Sequence, residues 1–406
     1  MILDQIEWSD CAVFLLALIP QLLLHVPILE LLQCAAIAVP FIGTSTECRA
    51  GLLLTQEVLV MPLQLIHERY LTPKKQQSLF IQQATVFQDV VIRCVRFAFA
   101  NIQSSIGKVF FSKWVSLPFM RYRMLRNGIL QSPVHYREVD TGRSKCIYIV
   151  EDDSRPPSIL IYYSHGGGMT MGSPYFYMEF LMAWIALLKE AGHPNPAVLA
   201  IDYTLVPGAT YPTQVQEMLD GYKHALSLVP DSSRIVVSGD SAGGTLVLSL
   251  LLTLTMTSDG RKSKPALAVL ISPWTTLVSD NNRNTPSDYL DANTLKKYGQ
   301  QYIGKLAQSG DARVSPGNCK DLALWKRAAP TEGMYFIYGQ EEFFGPEIRD
   351  MISVLKKADI LIDSYEESHW IHAWPVVKLF LCNEASDRLG GLRRMVKAID
   401  DRMSAV

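Results

Sequence analysis

The sequence predicts an α/β fold, a mainly parallel central sheet with helices on both faces, and three observations predict it. After residue 130, eight short apolar runs alternate with helical stretches, an order that calls for crossover connections between parallel strands. The turn Gly239-Asp240-Ser241-Ala242-Gly243 separates the apolar run "RIVV" from the apolar run "TLVLSLLLTL", a strand–turn–helix context. A polar stretch, 273–332, breaks the alternation and is too long for a plain connection, so an insertion is expected above the C-terminal strand edge, where open α/β sheets bind ligands.

Strands are expected at 134–139, 146–150, 159–164, 197–202, 234–239, 266–272, 334–339 and 360–365, each a short run of β-branched, aromatic or other apolar residues bounded by polar or turn residues. Helices are expected at 176–191, 213–228, 242–257, 346–357 and 373–390.

Length and charge constrain function only loosely. The 406 residues suit one large domain with additions or two domains, and 38 basic against 39 acidic residues (net charge −1) give no pull toward nucleic acid. Seven cysteines, Cys11, Cys34, Cys48, Cys94, Cys146, Cys319 and Cys382, form no CxxC pair and are odd in number, which suggests reduced thiols rather than a zinc cage or a disulfide framework.

The apolar excess concentrates at the N-terminus. Residues 11–42 contain no Lys or Arg and one acid, Glu30, over more than the roughly 20 residues that span a bilayer. Three acids and no base in the first ten residues make a cleaved signal peptide a poor fit. Pro20, Pro27 and Pro40 favour two short helices lying in one leaflet over a single straight span, the alternative being an arm buried against the rest of the protein. The bases that follow, Arg49, Arg69, Lys74 and Lys75, would keep the remaining chain cytoplasmic, with the endoplasmic reticulum a plausible membrane. Further on, Arg93, Arg96, Lys108, Lys113, Arg121, Arg123 and Arg126 face one acid, Asp89, amid aromatic runs. Such helices could rest on anionic lipid, roof an active site, or present an ordinary solvated face. The expected organisation is a membrane-associating segment at 1–45, further helices at 46–130, and an α/β domain at 131–406.

Ser241 sits where a G-x-S-x-G turn would make it a nucleophile, with glycines at 239 and 243 because incoming strand and outgoing helix approach closely. His165-Gly166-Gly167-Gly168, after the 159–164 strand, exposes backbone amides suited to an oxyanion, and one such donor is worth roughly 2.7–4 kcal/mol in acyl transfer. An acid and a histidine should follow the serine in that order. His372, directly before a helix, is favoured over His369, while Glu341 and Glu342 both follow the 334–339 strand. His25, His67 and His135 precede the catalytic region, and His193 and His224 come too early in the order.

"HGGG" and "GDSAG" with a late histidine resemble the hormone-sensitive-lipase group of α/β-hydrolases, as do "DYTLVPGATYP" (202–212) and "ISPWTTL" (271–277). "HGGGMTMGSPYFYMEFL" and the apolar N-terminus are similar to the fungal steryl acetyl hydrolase branch. The resemblance implies the α/β-hydrolase fold in a catalytic domain at 131–406, a cap formed by the helices at 46–130 and the 273–332 insertion, Ser241 as nucleophile, His372 as base and Glu342, three residues after Gly339, as acid. It further implies an oxyanion hole at Gly166, Gly167, Gly168 and Ala242, in which Gly167, Gly168 and Ala242 donate amides, Gly166 shapes the turn and His165 is structural. Glu in place of the group's more frequent Asp is a departure. Neither a metal nor an organic cofactor is implied.

The resulting expectation is a membrane-associated serine esterase for a lipophilic ester. A second reading keeps the serine but has the site release, condense or cyclise a polyketide-like intermediate of a fungal natural-product pathway, and a third is a non-catalytic binder on the same fold.

Overall fold

A computed structural model describes residues 1–42, 61–256 and 258–403 of the chain. The expected boundary at 45/46, Cys48 and Arg49 lie outside the described residues.

All eight expected strands form, each within two residues of its expected limits: β1 (His135–Asp140), β2 (Lys145–Val150), β3 (Ile159–Ser164), β4 (Pro196–Ile201), β5 (Ile235–Asp240), β6 (Leu267–Ile271), β7 (Met334–Gly339) and β8 (Ile362–Glu367). They make one sheet in the order β1-β2-β4-β3-β5-β6-β7-β8. The β1–β2 and β2–β4 pairs are antiparallel, and every pair from β4 through β8 is parallel. Both faces are covered. Leu160 and Tyr162 of β3 face one core and Ile159, Ile161 and Tyr163 the other, which is why the parallel strands read as continuous apolar runs.

The N-terminal helices are α1 (Trp8–His25), α2 (Ile28–Ile42), α3 (Met61–Ile66), α4 (Leu79–Gln83), α5 (Val86–Asn101), α6 (Ser104–Phe110) and α7 (Lys113–Arg126). After them follow α8 (Met178–Glu190), α9 (Thr213–Leu228), α10 (Ala242–Leu254), α11 (Ser258–Lys262), α12 (Ala292–Ile303), α13 (Leu322–Ala328), α14 (Gly345–Lys357), α15 (Trp374–Leu381) and α16 (Ala385–Met403). Helices α9, α10, α13 and α14 contribute to one core, and α8, α15 and α16 to the other.

Two expectations are corrected. The helix expected at 373–390 is two: Cys382 is extended, and Gln88 Nε2, from α5, donates to the Leu381 carbonyl at the end of α15, a tertiary cap that local sequence does not announce. Helix α1 runs through Pro20 and stops at Val26, held extended by Pro27 after it. Within the 273–332 stretch, α12 places the Tyr298 ring beside Gly168 in the loop after β3. There α12 packs on α5, with Phe99 and Tyr298 edge-to-face at 5.9 Å, whereas α13 belongs to the crossover to β7 and buries Trp325 against the core.

The basic stretch is also reassigned, because most of its cations are paired within the protein. Arg93 bonds Asp89 and Glu68, Lys113 bonds Glu138, and Arg126 bonds Glu7 and Asp10. Arg123 is fully buried between Asp10 (3.2 Å) and Glu179 (2.7 Å) and also donates to the carbonyls of Asp4 and Gln5. Its partners arrive from 56 to 119 residues away, so the local charge count misrepresents the face. Asp10 is buried with it, and Leu3 packs into the α8 core. Helix α1 lies on α6 and α7 through Phe14, Leu18, Leu22 and Val26, leaving Leu15, Leu16, Ile19, Leu23 and Leu24 exposed.

Candidate active site

The parallel register brings the C-terminal ends of β3, β5, β6, β7 and β8 to one edge, and Ser164 pairs with Gly239. Ser241 stands between β5 and α10 with φ 51° and ψ −118°, a strained conformation for a non-glycine residue. The neighbouring strand stabilises it: Ser241 N–H donates to the Ile271 carbonyl at 2.9 Å, and the Ser241 carbonyl accepts from Trp274 N–H at 2.9 Å. A Cβ at Gly239 would stand 2.6 Å from the Gly243 backbone, and one at Gly243 2.0 Å from the Ser164 carbonyl. The tight turn therefore requires both glycines.

Across β6 and β7, His372 Nδ1 stands 3.6 Å from Glu342 Oε1, with both side chains essentially buried. The other carboxylate oxygen, Glu342 Oε2, accepts from Ser272 Oγ (2.5 Å) and Gly339 N–H (2.7 Å), leaving Oε1 for the imidazole. Ser272 Oγ in turn accepts from Ala373 N–H at 3.0 Å, so one hydroxyl at the end of β6 ties the acid to the histidine loop. The rings of Phe344 and Tyr289 flank the imidazole at 5.1 and 5.8 Å. Burial lowers the His372 pKa, but Glu342, with Asp288 and Asp240, outweighs it and holds the value above the usual histidine range.

Glu341 turns the other way. Its carboxylate accepts from Ser287 Oγ at 3.1 Å and its carbonyl from Thr285 Oγ1 at 3.2 Å. His369 is half-buried in a left-handed turn, its N–H donated to Gln340 Oε1. The structure thus brings Glu342 and His372 together, and not Glu341 or His369.

On the β3 side, Gly166 N–H is donated to Asp240 Oδ1 at 2.8 Å, so within the expected oxyanion set Gly166 shapes the loop and has no amide to offer. The amides of Gly167 (φ +109°), Gly168 (φ +61°) and Ala242, the first residue of α10, have no acceptor among the described residues. Asp240 is fully buried and also accepts from the hydroxyls of Tyr163 (2.6 Å) and Tyr177 (2.7 Å). Burial raises its pKa, against the three hydrogen bonds. His165 bonds the Gly166 carbonyl through Nδ1 and stacks on Tyr203 at 4.3 Å. Burial drives its pKa down to about 4, so a neutral ring supports the loop.

A family profile described as alpha/beta hydrolase fold matches residues 161–376, more than half of the chain. This chain belongs to the α/β-hydrolase-fold family. Among curated relatives it is 31% identical over 201 residues (47% of this chain, 52% of the relative) to "Putative steryl acetyl hydrolase mug81" of Schizosaccharomyces pombe. It is 32% identical over 177 residues (41% and 52%) to "Ethyl acetate hydrolase" of Pseudomonas putida. The chain thus spans about half the length of these curated relatives. A crystal structure of an esterase from the bacterial hormone-sensitive lipase family superposes with a TM-score of 0.60 at 19% identity, covering 79% of this chain and 99% of that one. The resemblance read from HGGG and GDSAG is borne out at the level of family and fold.

Two features of this α/β-hydrolase were not legible as site residues. Ser272 could have drawn attention only through the SPW segment, and Asp288 carries no motif at all. Both bond side chains or amides distant in sequence.

Proposed function

We propose that this protein is a serine hydrolase of carboxylic esters, with Ser241 as nucleophile, His372 as general base and Glu342 as the carboxylate that orients the imidazole. The observation that carries the reading is the convergence on one strand edge of a strained serine, a buried His–Glu pair and a glycine loop with uncommitted amides. His372 takes the Ser241 proton as Oγ attacks the ester carbonyl, and the negative charge on the carbonyl oxygen is met by the amides of Gly167, Gly168 and Ala242. The imidazolium protonates the departing alcohol, and His372 then activates the water that hydrolyses the acyl-enzyme.

A lipophilic ester is the proposed substrate class, supported by the steryl substrate in a relative's name and by the aromatic cover over the loop, where the Tyr298 ring faces Gly168. We further propose that the protein works at a membrane surface, its globular part on the cytoplasmic side. Helix α1 has 18 residues of mean hydropathy 1.5 and, packed lengthwise on α7, presents its second apolar side outward. That geometry favours lying in the interface over crossing it.

Purified protein treated with a fluorophosphonate should carry the adduct on Ser241 and should hydrolyse p-nitrophenyl esters. Ser241→Ala should lose roughly 10⁴-fold or more of kcat while keeping its fold. Undiminished turnover in that variant would overturn the assignment.

A further inference from the structure

Outside the proposed triad, one buried carboxylate touches the backbone of both loops that carry it. Asp288 is 0% exposed. Its Oδ2 accepts from the N–H of Phe343, the residue after Glu342, at 2.6 Å, and its Oδ1 accepts from the N–H of His372 itself at 3.3 Å and from Tyr289 N–H at 2.8 Å. All three donors are main-chain amides, which cannot reverse direction, so only an acceptor-only group satisfies them. The turn bearing Asp288 is fixed from outside the sheet. Arg96, on α5, donates from Nε to the Asp288 carbonyl and from Nη2 to the Pro286 carbonyl, both at 2.7 Å. Among the described residues Arg96 forms no salt bridge; its hydrogen bonds go to this turn.

We propose that Asp288 is a positioning residue for the triad and that Arg96 positions Asp288, so that an N-terminal helix sets the distance between the acid loop and the histidine loop. The inference rests on the hydrolase reading above. A carboxylate with no cationic side chain bonded to it among the described residues is a costly way to hold three amides in a buried site. Burial accordingly raises the Asp288 carboxyl to about 6. Its arrangement makes sense if the separation of Glu342 and His372, which form a pair 3.6 Å apart, must be held closely. Misplacement of a catalytic group by about 1 Å can cost on the order of 10²-fold in rate.

The test uses the full chain and three variants, Asp288→Asn, Arg96→Gln and Arg96→Lys, read by kcat and KM on p-nitrophenyl butyrate, by the rate of fluorophosphonate labelling and by the pH profile. Asp288→Asn aims an NH₂ at one of the three amides and should lower kcat and labelling rate by about 10²-fold with KM changed less than about twofold. Among the described residues three carboxylates act on His372: Glu342 after β7, Asp288 in the turn and Asp240 at the end of β5, with the Tyr289 ring beside the imidazole. Removing the charge of Asp288 should move the acid limb of kcat/KM to lower pH, a shift that a merely structural role would not produce. Arg96→Gln should lower kcat several-fold and Arg96→Lys should recover part of it, and these variants carry the test if Asp288→Asn does not fold. Unchanged kcat and labelling in folded Asp288→Asn, or in Arg96→Gln where only that variant folds, would overturn the proposal. A wild-type protein that fails to label at Ser241 would instead overturn the hydrolase reading.

Discussion

The two sides of Ser241 are each organised by a buried aspartate, and they differ in what each aspartate holds. On the glycine side Asp240 accepts one amide, from Gly166, and two hydroxyls, from Tyr163 and Tyr177. On the histidine side Asp288 accepts three amides, from Phe343, His372 and Tyr289. A hydroxyl can turn from donor to acceptor, and an amide cannot. The donors to Asp240 all come from β3, the loop after it and the residue before α8, whereas the turn bearing Asp288 is also bonded by Arg96 of α5. The glycine side should therefore tolerate chemical change at its aspartate better than the histidine side does at Asp288.

The largest test of that contrast is at the acid itself. Glu342→Gln should lower kcat by roughly 10³–10⁴-fold because the imidazole loses the carboxylate that orients it, while Glu341→Gln, at a carboxylate bonded to Ser287, should stay within about twofold. Equal losses in the two variants would dissolve the assignment. Next, Asp240→Asn should cost only about tenfold in kcat, less than Asp288→Asn, because the Tyr177 hydroxyl can rotate to accept from the new NH₂. A loss as large as at Asp288 would remove the asymmetry.

The pH profile gives a finer measure. His372 is held above the usual histidine range, and it must be neutral to act as base, so the acid limb of kcat/KM should lie above that range in the wild type and move to lower pH in residual Glu342→Gln activity. A limb that stays in place would mean that another group controls it. The smallest effect on rate is expected far from the serine. Asp10→Asn leaves the buried Arg123 with Glu179 and the Asp4 and Gln5 carbonyls and should lower unfolding stability by about 3 kcal/mol in urea titrations while folded protein keeps its kcat.

The sheet was legible because strands buried on both faces leave unbroken apolar runs, as in "ILIYYS" and "MYFIYG". Ser241 and the glycine loop were legible because their backbone geometry demands particular residues at fixed spacing. Asp288 and Arg96 were not, since an aspartate in a polar insertion and an arginine on an amphipathic helix look alike whether solvated or buried. Their roles arise from contacts 192 residues apart. The same blindness made Arg123 read as part of a charged surface, although its partners Asp10 and Glu179 enclose it completely. The resemblance already gave Gly166 a turn-shaping role, but nothing local announces that Asp240 is the group its amide bonds.

The buried Arg123 cluster has a practical corollary for handling the protein. Its apolar leading segment invites removal to improve solubility, yet cutting it away would strip Asp10 from a guanidinium that has no route to water and would uncover Ile106, Val109 and Val115. Recolouring the outward residues Leu15, Leu16, Leu23 and Leu24 with polar side chains, leaving Asp10, Phe14 and Leu18 in place, is the gentler route to a detergent-free preparation.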